Sequence, residues 1–210
     1  MSVITKIRTK ARNFIRGRIQ QWGSSSQKRK LWDDEFAAGK WDFIENTSGD
    51  PIYSFIEKYC RSGSLLDLGC GSGNTGCELS SRAYADYMGV DISQVALDKA
   101  SQRSVALKRG EINRYAQSDI VTYAPDRQFD VILFRECIYY IPEGKIPAML
   151  NRYARYLKTG GVFIIRWHDS ASEQKLTGLI GSAFTIIEKN IHGPTDPVIV
   201  VFRPPSGAGK

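Results

Sequence analysis

Long hydrophobic runs are missing. Nothing in the 210 residues approaches the roughly 20 apolar positions that a membrane-spanning helix needs. Histidine is scarce, with two in the chain, and the four cysteines (Cys60, Cys70, Cys77, Cys137) show no C-x-x-C spacing. These shortages exclude a zinc framework and a disulfide-stapled fold, and they fit a reducing compartment. Asp, Glu and His form no cluster with the spacing of metal ligands, so no metal is expected. Acidic residues are absent from the first thirty positions, which hold nine basic ones. Those basic residues interrupt every short apolar stretch there, so a secretory signal is not expected. The expected location is cytoplasmic, with peripheral attachment at the inner face of the membrane through the basic segment. No internal repeat is visible.

The remaining composition, 42% hydrophobic and 24% charged, is that of a globular protein with a sizeable core. The 29 basic residues outnumber 22 acidic ones, but removing the first thirty positions leaves twenty against twenty-two. The basic pI of about 9.2 therefore belongs to an arm rather than to the domain. This weakens a nucleic-acid reading based on overall charge.

Residues 3–22 place Ile4, Ile7, Ala11, Phe14, Ile15, Ile19 and Trp22 at helical intervals among arginines and lysines, the pattern of a basic amphipathic helix. Gly23-Ser24-Ser25-Ser26 then reads as a flexible connector. The expected division is a basic helix with linker over 1–30, a helical lid over 31–62, a catalytic domain over 63–203 and a mobile tail over 204–210. Within the third part, short apolar runs at 64–68, 87–90, 115–116, 130–134 and 161–167 alternate with helical patterns near 75–82, 93–102 and 144–157. Such alternation predicts a parallel sheet with right-handed crossovers. Runs at 184–191 and 198–202, joined by a loop containing His192, predict a closing antiparallel pair.

The glycine-rich stretch at 65–76 reads LLDLGCGSGNTG and holds two overlapping patterns. Gly71, Gly73 and Gly76 spell G-x-G-x-x-G, the turn of a dinucleotide site. Asp67, Gly69, Gly71 and Gly73 spell D-x-G-x-G-x-G, with Cys70 inside the loop. A carboxylate at Asp67 would repel a pyrophosphate but suits a cationic amino-acid moiety. Asp91 ends the next strand, 18 residues beyond Gly73, where it can accept both hydroxyls of a ribose. Asp119 ends the third, placed to accept from an adenine amino group, with Ile92 and Ile120 as apolar faces for the ring.

Three acids closing three successive strands around this loop resemble the class I S-adenosylmethionine-dependent methyltransferases, over roughly residues 53 to 202. The resemblance implies an α/β, Rossmann-like fold: a seven-stranded, mostly parallel sheet with helices on both faces and an antiparallel last strand. It implies S-adenosyl-L-methionine as cofactor, with Asp67 and Gly69, Cys70, Gly71 and Gly73 at the methionine end. Asp91 and Ile92 then serve the ribose side, and Ser118, Asp119 and Ile120 the adenine.

The acceptor is addressed at the end of the fourth strand, in FDVILFRECIYYIP. Enzymes acting on amines of bases or on glutamine amides often carry an Asn/Asp-Pro-Pro-aromatic motif there. This chain has Phe134-Arg135-Glu136-Cys137 instead. With Tyr139 and Tyr140 the segment is similar to small-molecule members, of the nodulation-factor N-methyltransferase and bacterial saccharide-pathway types. That similarity places Trp41 and Arg135 near the cofactor and Glu136, Tyr139 and Tyr140 near a hydroxyl or amine acceptor. The tyrosines fit helix-face packing equally well. His168, closing the fifth strand in Trp167-His168-Asp169, is a candidate general base or a plain loop histidine.

The expected function is methyl transfer to a small molecule of saccharide or glycolipid type. The alternatives are a non-catalytic binding module and an RNA methyltransferase. The basic helix is expected to meet an anionic membrane surface or a partner protein, less so nucleic acid, or else to pack on its own domain.

Overall fold

The computed structural model describes residues 3–168, 173–190 and 196–205. Asp169, His192 and residues 206–210 of the expected tail lie outside them. Two helices open the chain, α1 (Val3–Trp22) and α2 (Ser25–Ala37). The corner between them is built rather than loose. A Cβ at Gly23 would lie 2.6 Å from the Ile19 carbonyl oxygen, so this position needs glycine. Ser24 Oγ accepts from the Gln27 amide at 3.3 Å, while the Gln27 side chain accepts from the Ser24 amide at 2.9 Å. This reciprocal capping box fixes the start of α2. The expected connector is therefore an ordered turn, and the expected boundary between residues 30 and 31 falls inside α2.

A short 3₁₀ turn (Asp42–Ile44) leads to α3 (Ile52–Cys60). The chain then alternates through β1 (Gly63–Leu68), α4 (Asn74–Glu78), β2 (Tyr84–Asp91), α5 (Gln94–Ala106), β3 (Asn113–Gln117), β4 (Phe129–Arg135), α6 (Ile146–Ala154) and β5 (Leu157–Trp167). It closes with α7 (Glu173–Gly181), β6 (Thr185–Asn190) and β7 (Val198–Arg203). The seven strands lie in the order β3-β2-β1-β4-β5-β7-β6, parallel except for the pairs that β7 makes with β5 and β6. The helix expected over 75–82 stops at Glu78, because Leu79 turns to extended backbone and buries its side chain in the core.

The central strands are apolar on both faces because both are covered. Leu66, Ile132, Phe163 and Ile165 point to the side of α6, where Met149, Leu150 and Tyr153 meet them. Leu65, Val131, Leu133 and Ile164 point to the side of α3, against Ile52 and Ile56. This α3 packing corrects the expected lid over 31–62. Ile52 and Ile56 are fully buried, so α3 is a layer of the domain, and only the segment before it lies over the sheet edge. Strand order reverses between β1 and β4, and open α/β sheets bind ligands outside that point.

Candidate active site

The carboxyl ends of β1, β2, β4 and β5 open into one cavity of about 430 Å³. Trp41, Asp67, Gly69, Cys70, Gly71, Asp91, Ile92, Asp119, Ile120 and Arg135 line it, as do Glu136, Tyr139, Tyr140 and His168. Gly73 and Ser118, also expected at the cofactor, stand just behind this lining. Gly73 (φ +80°) starts α4, and a Cβ there would lie 2.7 Å from Ala100 Cβ, so it serves helix packing. The Ser118 amide bonds the Asp91 carbonyl at 2.9 Å and extends the ladder between β2 and β3.

Asp67 is 1% exposed at the end of β1. Its Oδ2 accepts from the Tyr87 hydroxyl at 2.8 Å, while its Oδ1 has no partner. Burial raises its pKa, outweighing the Tyr87 hydrogen bond and the charge of Arg135, which act the other way. Gly69 and Gly71 wrap this acid at positive φ. A Cβ on Gly69 would lie 2.7 Å from Cys137 Cβ, and the position of a Cβ on Gly71 is 3.6 Å from the Phe36 ring. The aromatic ring of α2 thus covers the glycine loop.

Asp91 accepts from the Gly71 amide through Oδ2 and from the Ser93 amide through Oδ1, both at 2.9 Å. Burial pushes its pKa up to about 6 against these hydrogen bonds. Asp119 accepts from the Val121 amide and from the Ser25 hydroxyl, each at 2.9 Å. The start of α2 therefore occupies the acid expected to meet an adenine. Asp33 of α2 ties the same helix to α5, accepting from Ser93 Oγ at 2.7 Å and the Val95 amide at 3.2 Å.

The opposite end rests on buried charge. Arg135 and Arg166 both bond Asp50 Oδ2, at 2.8 and 2.9 Å, and none of the three side chains exceeds 10% exposure. Arg135 also donates to the Tyr53 hydroxyl at 3.1 Å, so its guanidinium braces the floor of the site. Arg166 reaches on to Glu136 Oε1 and to His168 Nδ1, the latter at 2.8 Å. A guanidinium only donates, so Nδ1 takes the lone-pair role and the ring proton is assigned to Nε2. The 3.1 Å approach of Nδ1 to Glu136 Oε1 is then a contact without a shared proton. Tyr139 donates to Glu136 Oε2 at 3.0 Å, and burial together with that carboxylate holds its phenol neutral, well above its ordinary pKa. Glu136 itself sits at φ +54°, a left-handed conformation unusual for glutamate, immediately after β4. Tyr140 packs edge-on against Trp32 at 5.0 Å.

Sequence reasoning missed Gln20, Lys28, Trp32, Phe36, Asp50 and Arg166 among the lining residues. One signal was available for Arg166: a lone charge inside the apolar run FIIRW must be paired when the strand is buried. Among the described residues, no group of three or more His, Cys, Asp or Glu could hold a metal ion, and all four cysteines are buried free thiols.

S-adenosylmethionine fits these residues. Its ammonium would satisfy the orphaned oxygen of Asp67, and the bare glycine loop admits its backbone-like end. Residues 65–161 match the family described as a methyltransferase domain. Phosphoethanolamine N-methyltransferase 3 of Arabidopsis thaliana is 32% identical over 101 residues, covering 48% of this chain and 20% of the relative. The mRNA cap guanine-N(7) methyltransferase of Saccharomyces cerevisiae is 29% identical over 134 residues, covering 57% and 31%. The chain thus spans a fifth to a third of the length of these two relatives. N-methyltransferase NodS of Bradyrhizobium japonicum, solved with S-adenosyl-L-homocysteine, shares the fold at a TM-score of 0.63 and 18% identity, over 85% of this chain and 98% of that one. Over residues 65–161 this chain is thus similar to the methyltransferase-domain family, and it has the fold of NodS, a protein solved with S-adenosyl-L-homocysteine.

Proposed function

We propose that the protein transfers the methyl group of S-adenosylmethionine to an amine of a small molecule of saccharide or glycolipid type. One observation carries this reading. The unpartnered Asp67 oxygen and Asp91 lie at one end of the same cavity that holds Glu136, Tyr139 and His168 at the other. When bound, the cofactor supplies an electrophilic methyl on a sulfonium. The chain's part is to hold an acceptor lone pair in line behind it. Asp67 binds the ammonium of the methionine end and Asp91 the ribose hydroxyls. Asp119 gives up the Ser25 hydroxyl for the adenine amino group. At the far end Glu136 accepts an acceptor N–H, and neutral Tyr139 keeps that carboxylate in place.

The state of His168 favours an amine over a hydroxyl. With Nδ1 assigned as the acceptor from Arg166, the ring proton is on Nε2 and neither nitrogen has a lone pair free to act as a base. A hydroxyl needs its proton removed, whereas a neutral amine attacks without help. The NodS and phosphoethanolamine relatives, both N-methyltransferases by name, support the same choice. The yeast cap enzyme supports RNA as the second reading. Calorimetric titration with S-adenosylhomocysteine, followed by a methyl-transfer screen of amino sugars, sugar nucleotides, glycolipids and capped RNA, tests both. Absence of binding by the intact protein sinks the cofactor assignment, and turnover of capped RNA alone sinks the small-molecule one.

A further inference from the structure

Helix α1 is attached to the domain by its polar side. Arg16 makes a two-pronged ion pair with Glu35 of α2, at 2.6 and 3.0 Å, and Glu35 is 2% exposed. The same guanidinium stacks 5.8 Å from the centre of the Trp41 ring. Gln20, one turn further, is 6% exposed and forms part of the cavity wall. An amphipathic helix resting on its own domain would bury its apolar residues and show its charges. Here Arg16 and Gln20 are turned inward instead, and the large apolar side chains Phe14, Ile15 and Trp22 are turned outward. Phe14, Ile15 and Trp22 are 71%, 58% and 61% exposed, and Arg12 and Arg18 stand beside them in solvent. Positions 14, 15, 18 and 22 recur at helical spacing and so share one outward face.

We infer that this face docks on an anionic phospholipid bilayer. Two independent features select that occupant. The first is charge: α1 holds six basic residues and no acidic one, whereas the chain beyond residue 30 is close to neutral. A second copy of the same helix would be repelled. The second is the combination of an exposed tryptophan and phenylalanine with arginines. It suits the interfacial layer of a membrane, where rings sit at headgroup depth and guanidiniums meet phosphates. No helix among the described residues is long and apolar enough to cross a membrane, so the contact is with the surface. Because Arg16 and Gln20 face inward, docking leaves the cavity wall intact and sets the cavity beside the lipid headgroups. This inference stands apart from the proposed reaction, since it needs neither cofactor nor acceptor.

The test is co-sedimentation of the full chain with vesicles of phosphatidylcholine alone and of phosphatidylcholine mixed with phosphatidylglycerol, across a salt series. The mixed vesicles should pellet the protein, the neutral ones should not, and added salt should release it. The double variant Phe14→Ser/Trp22→Ser should weaken partitioning at least tenfold, while Arg12→Gln/Arg18→Gln should flatten the salt dependence. Both changes lie on exposed positions outside the cavity, so binding of S-adenosylhomocysteine should be unchanged and certifies the fold. Equal partitioning of wild type and the aromatic double variant overturns the inference. So does absence of vesicle binding with tight RNA binding, or with a dimer that Trp22→Ser dissolves.

Discussion

The two ends of the cavity are built on different principles. At the cofactor end, geometry comes from the backbone: strand ends, a glycine loop and helix starts put Asp67, Asp91 and Asp119 in fixed places. At the acceptor end it comes from long side chains, with Asp50, Arg135, Arg166 and Glu136 holding one another across three elements. A backbone site leaves its acids free to meet a ligand. A side-chain site spends most of its charge on itself, so its members should matter first for folding.

The sharpest break of this contrast is Asp50→Ala. It leaves two buried guanidiniums without their shared carboxylate, a loss of roughly 3–5 kcal/mol. Urea denaturation should record it as a large drop in midpoint at both neutral and mildly alkaline pH. A fall below about 1 kcal/mol would mean that the acceptor end is less self-reliant than its geometry implies. The matching change at the other end, Asp91→Ala, should act on binding. Losing a charged acceptor of hydrogen bonds costs about 1.5–3 kcal/mol, or roughly 10- to 150-fold in affinity for S-adenosylhomocysteine. Unimpaired affinity in calorimetry would remove Asp91 from the ribose site.

A change of pH sharpens the comparison without mutation. Burial pushes the Asp91 pKa up to about 6, and ribose hydroxyls need the ionised carboxylate. Affinity for S-adenosylhomocysteine should be level above pH 7 and weaken by about tenfold per unit below 6. Stability moves the opposite way. The unfolded chain loses this proton near pH 4 while the fold keeps it until about 6, so the contribution of Asp91 declines as pH rises through that interval. A pH-independent affinity between 5 and 8 would separate Asp91 from the cofactor.

The same division governs what the sequence discloses. Strand positions and the strand-end places of Asp67, Asp91 and Asp119 follow from local patterns, because a glycine loop and a strand-ending acid are short-range signals. That Ser118 and Gly73 stand behind the lining was not legible, because pattern position does not tell which way a residue faces. Asp50 was invisible because it reads locally as an ordinary helix start and pairs with Arg166 across 116 positions of sequence, so the lone charge in FIIRW did not reveal its partner. Trp32 and Phe36 were hidden for another reason: their helix begins at Ser24, where serine-rich composition reads as a linker. The contacts that hold α2 over the loop, Ser25 with Asp119 and Asp33 with Ser93, have no signature in composition.

The smallest expected effect belongs to His168, and it bears most directly on the chemistry. With its Nδ1 assigned as the acceptor from Arg166, the ring proton is on Nε2 and no lone pair is free for a base. If the acceptor is an amine, His168→Ala should keep turnover within about threefold, whereas removing a true general base costs about 10²–10⁴-fold. Glu136→Gln should be the more harmful of the two, because it removes the charge that accepts an acceptor N–H and leaves Arg166 half-paired in a buried position. Single-turnover rates at saturating acceptor, measured for both variants against pH, distinguish the cases. A large loss in His168→Ala with a rising limb near neutral pH would show that Arg166 releases the ring during the reaction. The acceptor end would then be a working acid–base site, and a hydroxyl acceptor would replace the amine.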